Sequence, residues 1–100
     1  MKIQLTKAEL DIVKKILSKH LPNATHYLFG SRVRGTAKQY SDLDVVIISD
    51  NAIPLNTLAH LRDAFSESSL PFKIDIVDWH RTTDEFRDHI RREWVKLILV

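Results

Sequence analysis

Leu43-Asp44-Val45-Val46-Ile47-Ile48 is apolar on both parities, with a single acid set into it. An extended segment of that kind has to be covered on both faces, so other elements must pack on either side of a sheet. The rest of the chain supplies them. Thr6 and Glu9 stand at capping-box spacing. Leu5, Ala8, Ile12, Val13, Ile16 and Leu17 then recur at helical spacing until Leu21-Pro22-Asn23 stops them. A short strand from His26 to Phe29 runs into Gly30, and the polar, basic stretch from Ser31 to Ser41 reads as a helical turn followed by a loop. Pro54 suits the first turn of a helix carrying Leu55, Leu58, Leu61 and Phe65. Phe72 to Val77 alternates as a third strand, with Phe72, Ile74 and Ile76 on one face and Lys73, Asp75 and Val77 on the other. A last helix is expected from near Thr83, with Phe86, Ile90, Trp94, Leu97 and Ile98 as its apolar stripe. Helices alternating with strands predict an α/β (α+β) layer protein, with helices packed on a small mixed sheet of three to four strands.

A length of 100 residues holds one core, so residues 1–100 read as a single domain. The formal net charge is only +2, which nominates neither DNA nor RNA as a partner. With no cysteine there is no disulfide, thiol nucleophile or thiolate metal site. The longest apolar runs, Val45–Ile48 and Leu97–Val100, are too short for a bilayer, and the charged N-terminus has no signal-peptide core. A soluble, cytoplasmic protein without a membrane partner is the expectation.

A chain this long would ordinarily carry about seven glycines. This one has two, both within Gly30-Ser31-Arg32-Val33-Arg34-Gly35. Glycine is thus kept for the place where a strand breaks into a basic turn, and close approach of a ligand to the backbone is one reason to keep it there. If Ser31 opens a helical turn, its free N–H groups and hydroxyl form a phosphate cradle, with Arg32 and Arg34 nearby. A tight turn without a ligand would use the same residues. The spacing is not a P-loop: Thr36-Ala37 stands where Lys-Ser/Thr is required.

Ser41-Asp42-Leu43-Asp44 opens the second strand, and residues two apart share a face. Two adjacent carboxylates repel unless a cation lies between them, and Mg²⁺ meets that need. A solvated strand end is the plain alternative. Asp75 favours the metal, because it sits in the third strand on the face opposite Phe72, Ile74 and Ile76, where a purely structural strand would carry an apolar residue. Asp78, on the other parity, reads as a turn residue. Bringing Gly30-Ser31 to Asp42 and Asp44 requires the first two strands to run antiparallel, with Asp75 joining from the third. A phosphate-binding turn facing three carboxylates is the apparatus of two-metal phosphoryl or nucleotidyl transfer.

Gly30-Ser31, ten intervening residues, Asp42-x-Asp44 and a later strand aspartate together resemble the signature of the DNA polymerase β-type nucleotidyltransferase superfamily. Within it, Gly-Ser-Arg-Val-Arg-Gly-Thr-Ala followed by Ser-Asp-Leu-Asp is most similar to the minimal nucleotidyltransferases (MNT), which are commonly paired with a HEPN-domain partner in toxin–antitoxin modules. Residues 25–95 carry the resemblance, with Lys73-Ile74-Asp75-Ile76-Val77 as the third-carboxylate strand; Val33 stands where alanine is usual. The resemblance implies a nucleotidyltransferase fold and transfer of AMP from ATP. It implies that Gly30 and Ser31 hold the triphosphate, with Arg32, Arg34 and Ser41 as further nucleotide contacts. Asp42 and Asp44 would ligate two Mg²⁺ ions, and Asp75 would ligate one and orient or deprotonate the acceptor hydroxyl. The implied acceptor is a tyrosine of a HEPN-type ribonuclease toxin, held in a hetero-oligomer.

Three strands and their helices consume the chain, so the acceptor is expected to arrive in trans. Two other functions compete: an antitoxin that neutralises its partner by binding alone, and a small-molecule nucleotidyltransferase that works with a separate helical subunit. The apolar end from Trp94 to Val100 fits either core packing of the last helix or the edge of a partner interface. His20, His26, His60, His80 and His89 are scattered, with no triad spacing.

Overall fold

The first helix begins where the capping spacing places it. Thr6 Oγ1 accepts from the Glu9 amide, and the Glu9 carboxylate accepts from the Thr6 amide. In a computed structural model, which describes residues 3–99, this helix is α1 (Lys7–His20). It is followed by β1 (Thr25–Phe29), α2 (Ser31–Arg34), β2 (Leu43–Ile48), α3 (Leu55–Ser66) and β3 (Ile74–Asp78). A 3-10 turn (Trp79–Arg81), α4 (Asp84–Arg91) and β4 (Val95–Leu97) complete it.

The four strands form one mixed sheet in the order β3-β2-β1-β4. β1 runs antiparallel to both β2 and β4, and β2 runs parallel to β3. The apolar double face of β2 now has its reason. Leu43, Val45 and Ile47 are fully buried in the main core with Val13 and Leu17 of α1 and Leu58, Leu61 and Phe65 of α3. Val46 points the other way, into a smaller cluster with Phe29 and Ile90, against which Tyr27, Val77, Trp79 and Trp94 pack. Leu55, expected on the buried stripe of α3, lies in the first turn and is 70% exposed.

Three expectations are corrected. The third strand is Ile74–Asp78, not Phe72–Val77; Phe72 is still buried, beneath the Arg32 guanidinium. Asp78 is no solvated turn residue. Its buried carboxylate accepts from the amides of Ile53 and His80 and pairs with Arg81 at 2.6 Å, tying the entry of α3 to the end of β3. The last helix does not reach the apolar tail but ends at Arg91. Trp94 stacks on Tyr27 with ring centroids 3.8 Å apart, and Val95–Leu97 forms β4 along the free edge of β1. A strand wins here because β1 otherwise exposes a row of unpaired backbone groups, which Val95, Lys96 and Leu97 satisfy. Leu97 enters the main core while Ile98 is 56% exposed, and Val100 lies outside the described residues. Among the described residues no helix is long and apolar enough to cross a membrane.

Candidate active site

Strand alternation puts Asp44 on the same side of β2 as Val46, and Asp75 on the same side of β3 as Val77. Both acids therefore face away from α1 and α3. The parallel register sets Asp44 directly beside Asp75, and the antiparallel register sets Asp44 opposite Phe29, the residue before Gly30. The antiparallel pairing expected from the sequence is thus present, and three separate segments meet at one place.

Gly30 has φ +86°, a conformation that favours glycine, and a Cβ there would overlap Asp44 Oδ2. The space this leaves lies against the very carboxylate that a metal would use. Beyond Gly30 the chain turns at once into α2. The Gly30 carbonyl accepts from the amides of Val33 and Arg34, and the amides of Ser31 and Arg32 have no backbone partner among the described residues. Gly35, at φ +80°, closes this single turn.

The Asp44 carboxyl is pushed up to about 6. Burial is the largest cause, followed by the charges of Asp75 and then Asp42 and by a hydrogen bond shared with Asp75; Arg34 opposes them. The positive charge of Arg34 does not offset burial and the two acidic neighbours. Asp42, just before β2, and Asp75 are both exposed and open to an incoming group. Among the described residues no three histidine or acidic side chains form a ready-made cage for an ion. That pattern still fits Mg²⁺, which commonly takes one or two carboxylates, keeps several waters and completes its shell with substrate phosphate oxygens.

The structure does not bring Arg32 to this place. Its Nε donates to the Ser41 carbonyl at 3.0 Å, Nη1 to Gln4 at 2.8 Å and Nη2 to Gln39 at 3.2 Å, and the guanidinium stacks on Phe72. Arg32 thus braces the loop that leads into Asp42. Ser41 does the same work, its carbonyl bound to Arg32 and its hydroxyl accepting from the Lys38 amide at 2.8 Å. Arg34 is half-exposed and pairs with Glu93 at 2.7 Å. Glu93 also accepts from the Gly30 amide at 3.2 Å. Sequence reasoning missed Glu93, because a single acid in the arginine-rich stretch before Trp94 carries no spacing signal to a turn 63 residues away. On the α3 side, Asp42 borders a groove of about 740 Å³ with Tyr40, Arg62, Phe65, Phe72 and Lys73.

Residues 11–99 match the family model described as polymerase beta, nucleotidyltransferase. The chain is 45% identical over 93 residues to a Haemophilus influenzae protein described as probable protein adenylyltransferase MntA, a match covering 93% of this chain and 82% of that one. Among solved structures, a toxin–antitoxin crystallised with AMP-PNP superposes with a TM-score of 0.77 at 22% identity, over 89% of this chain and 72% of that one. The tri-AMPylated Shewanella oneidensis HEPN toxin in complex with an MNT antitoxin gives a TM-score of 0.65 at 22% identity, over 89% and 70%. At that identity the two structures speak for the fold, and the family match speaks for the class of chemistry. The chain belongs to the polymerase β-type nucleotidyltransferase family and is an enzyme of that class.

Proposed function

We propose that the protein is the antitoxin of a two-protein module and transfers AMP from ATP, with Mg²⁺, to a tyrosine hydroxyl of a HEPN-type toxin. The observation that carries this reading is the placement of Asp44 beside Asp75, with Asp42 close by, against the glycine turn. The likeness to a probable protein adenylyltransferase supports AMP transfer to protein, and the fold shared with an MNT antitoxin bound to a HEPN toxin supports the antitoxin role and the partner.

In this scheme Ser31 and Arg34 hold the triphosphate, and Gly30 shapes the turn that brings it against Asp44. Asp42, Asp44 and Asp75 would hold two Mg²⁺ ions, whose charge would neutralise phosphate and the charge that develops during transfer. The acceptor hydroxyl oxygen forms its bond to the α-phosphorus as the bond to pyrophosphate breaks, and pyrophosphate leaves with that electron pair. The hydroxyl proton passes to the Asp75 carboxylate, which stands exposed where an acceptor from another chain can reach it. Most of the rate enhancement then comes from alignment and electrostatics, as in phosphoryl transfer generally.

The test is incubation with ATP, Mg²⁺ and the co-expressed HEPN protein, read by intact-mass spectrometry. One or more AMP units on the partner are expected, with transfer lost in Asp42→Asn and Asp44→Asn. Wild-type rates in those variants would end the catalytic reading. Full neutralisation of the toxin by the triple Asn variant would make binding alone the mechanism. AMP on a small molecule and none on protein would favour the antibiotic-type alternative.

A further inference from the structure

Glu93 lies outside every motif considered so far, yet it is the side chain that grips the glycine turn. Its side chain is only 14% exposed. Oε1 accepts from the Gly30 amide at 3.2 Å, and both carboxylate oxygens accept from Arg34 Nη1, at 3.0 and 2.7 Å. His89 Nε2 lies 3.5 Å from Oε1. Glu93 is itself held firmly. Its amide and that of Trp94 both donate to the Ile90 carbonyl, and Trp94 is stacked on Tyr27 of β1. The carboxylate is therefore referenced to the sheet.

Two consequences follow for the turn. The Gly30 amide is already engaged, so it is not available to a phosphate. Arg34 is held at Nη1 alone, and its Nε and Nη2 groups donate to nothing among the described residues. A guanidinium clamped at one end presents the other in a fixed plane, which lowers the entropy lost when it takes up a phosphate.

We propose that Glu93 is a positioning residue for the triphosphate, orienting Arg34 and the Gly30 turn so that the free end of the guanidinium and Ser31 receive the β- and γ-phosphates. This rests on the nucleotide-binding reading above, though not on the identity of the acceptor. The opposing possibility is that the carboxylate occupies the place a phosphate would take, which reverses the sign of every variant.

The test is isothermal titration of the full chain with Mg-ATP and, separately, with AMP, which lacks the phosphates in question. Glu93→Ala is expected to weaken ATP about tenfold while AMP stays within about threefold. Glu93→Gln, which keeps an acceptor for the Gly30 amide but loses the ion pair, is expected to fall between. Equal losses for ATP and AMP would indicate general damage and overturn the proposal. Unchanged ATP affinity would also overturn it, and tighter ATP binding would establish competition with phosphate. If Glu93→Ala does not fold, Glu93→Gln decides alone, with wild-type ATP affinity as the overturning result. A wild-type protein that binds no ATP sinks the nucleotide reading together with this one, whereas ATP binding without transfer to protein sinks only the acceptor.

Discussion

Asp44 and Asp75 occupy directly paired positions in the parallel register of β2 and β3. Their closeness, added to burial, lifts the Asp44 carboxyl to about 6, against an ordinary 3.8. The folded chain therefore takes up this proton near pH 6, while the unfolded chain waits until near pH 4. The ionised group costs stability in full above about pH 6, and that cost fades as pH falls toward 4. Asp44→Asn removes it. The variant is expected to melt above the wild type at pH 7.5, with the Tm difference shrinking toward zero near pH 4. A difference independent of pH would show that Asp44 is not the strained group.

The two glycines separate cleanly. Gly30→Ala must overlap Asp44 Oδ2 and hold alanine at φ +86°. Backbone strain of this sort costs about 1–3 kcal/mol before the overlap is counted. Loss of AMP transfer and a lowered Tm are expected together. At Gly35, φ is +80° but nothing lies within 4 Å, so Gly35→Ala should cost only the backbone part and keep its activity. Equal loss of activity at both positions would mean that the Gly30–Asp44 contact is not what matters.

Arg32 is expected to matter for folding. Its three bonds to carbonyls and its stack on Phe72 cannot be reproduced by a lysine. Arg32→Lys should lose about 2–4 kcal/mol in denaturant unfolding. ATP affinity of the folded variant should stay within about threefold of wild type, about 0.6 kcal/mol or less. A large loss of ATP affinity at unchanged stability would return Arg32 to the nucleotide.

His26 of β1 is 1% exposed, and its Nε2 has no partner among the described residues. Burial lowers its pKa, against the opposing hydrogen bond with Ala24. The unfolded chain then binds this proton first, so stability is complete above about pH 6.5 and falls as pH drops below it. This runs opposite to Asp44 over an overlapping range. In an Asp44→Asn background, His26→Leu is expected to flatten the loss of Tm between pH 7.5 and 5.5. An unaltered slope would assign the acid loss to other groups.

Much of this architecture was legible in the chain. The limits of β2 follow from its apolar double parity, and the α1 cap follows from Thr6 and Glu9. The antiparallel pairing of β1 with β2 followed from asking how Gly30 could meet Asp44. What stayed hidden depends on partners distant in sequence. Trp94 and Leu97 fit a helical stripe as well as a strand, and only the open edge of β1 decides between them. Asp78 resembles a turn residue until Ile53 and Arg81 arrive around it. Arg32 and Arg34 look alike in a basic loop, yet one is spent on carbonyls and the other is held half-free by Glu93.

The border of β1 is supplied by residues about seventy positions later in the chain. A ribosome therefore exposes the acidic residues and their bend well before it releases the segment that braces them. For that interval the nascent polypeptide carries the candidate site residues while the outer edge of β1 is still open.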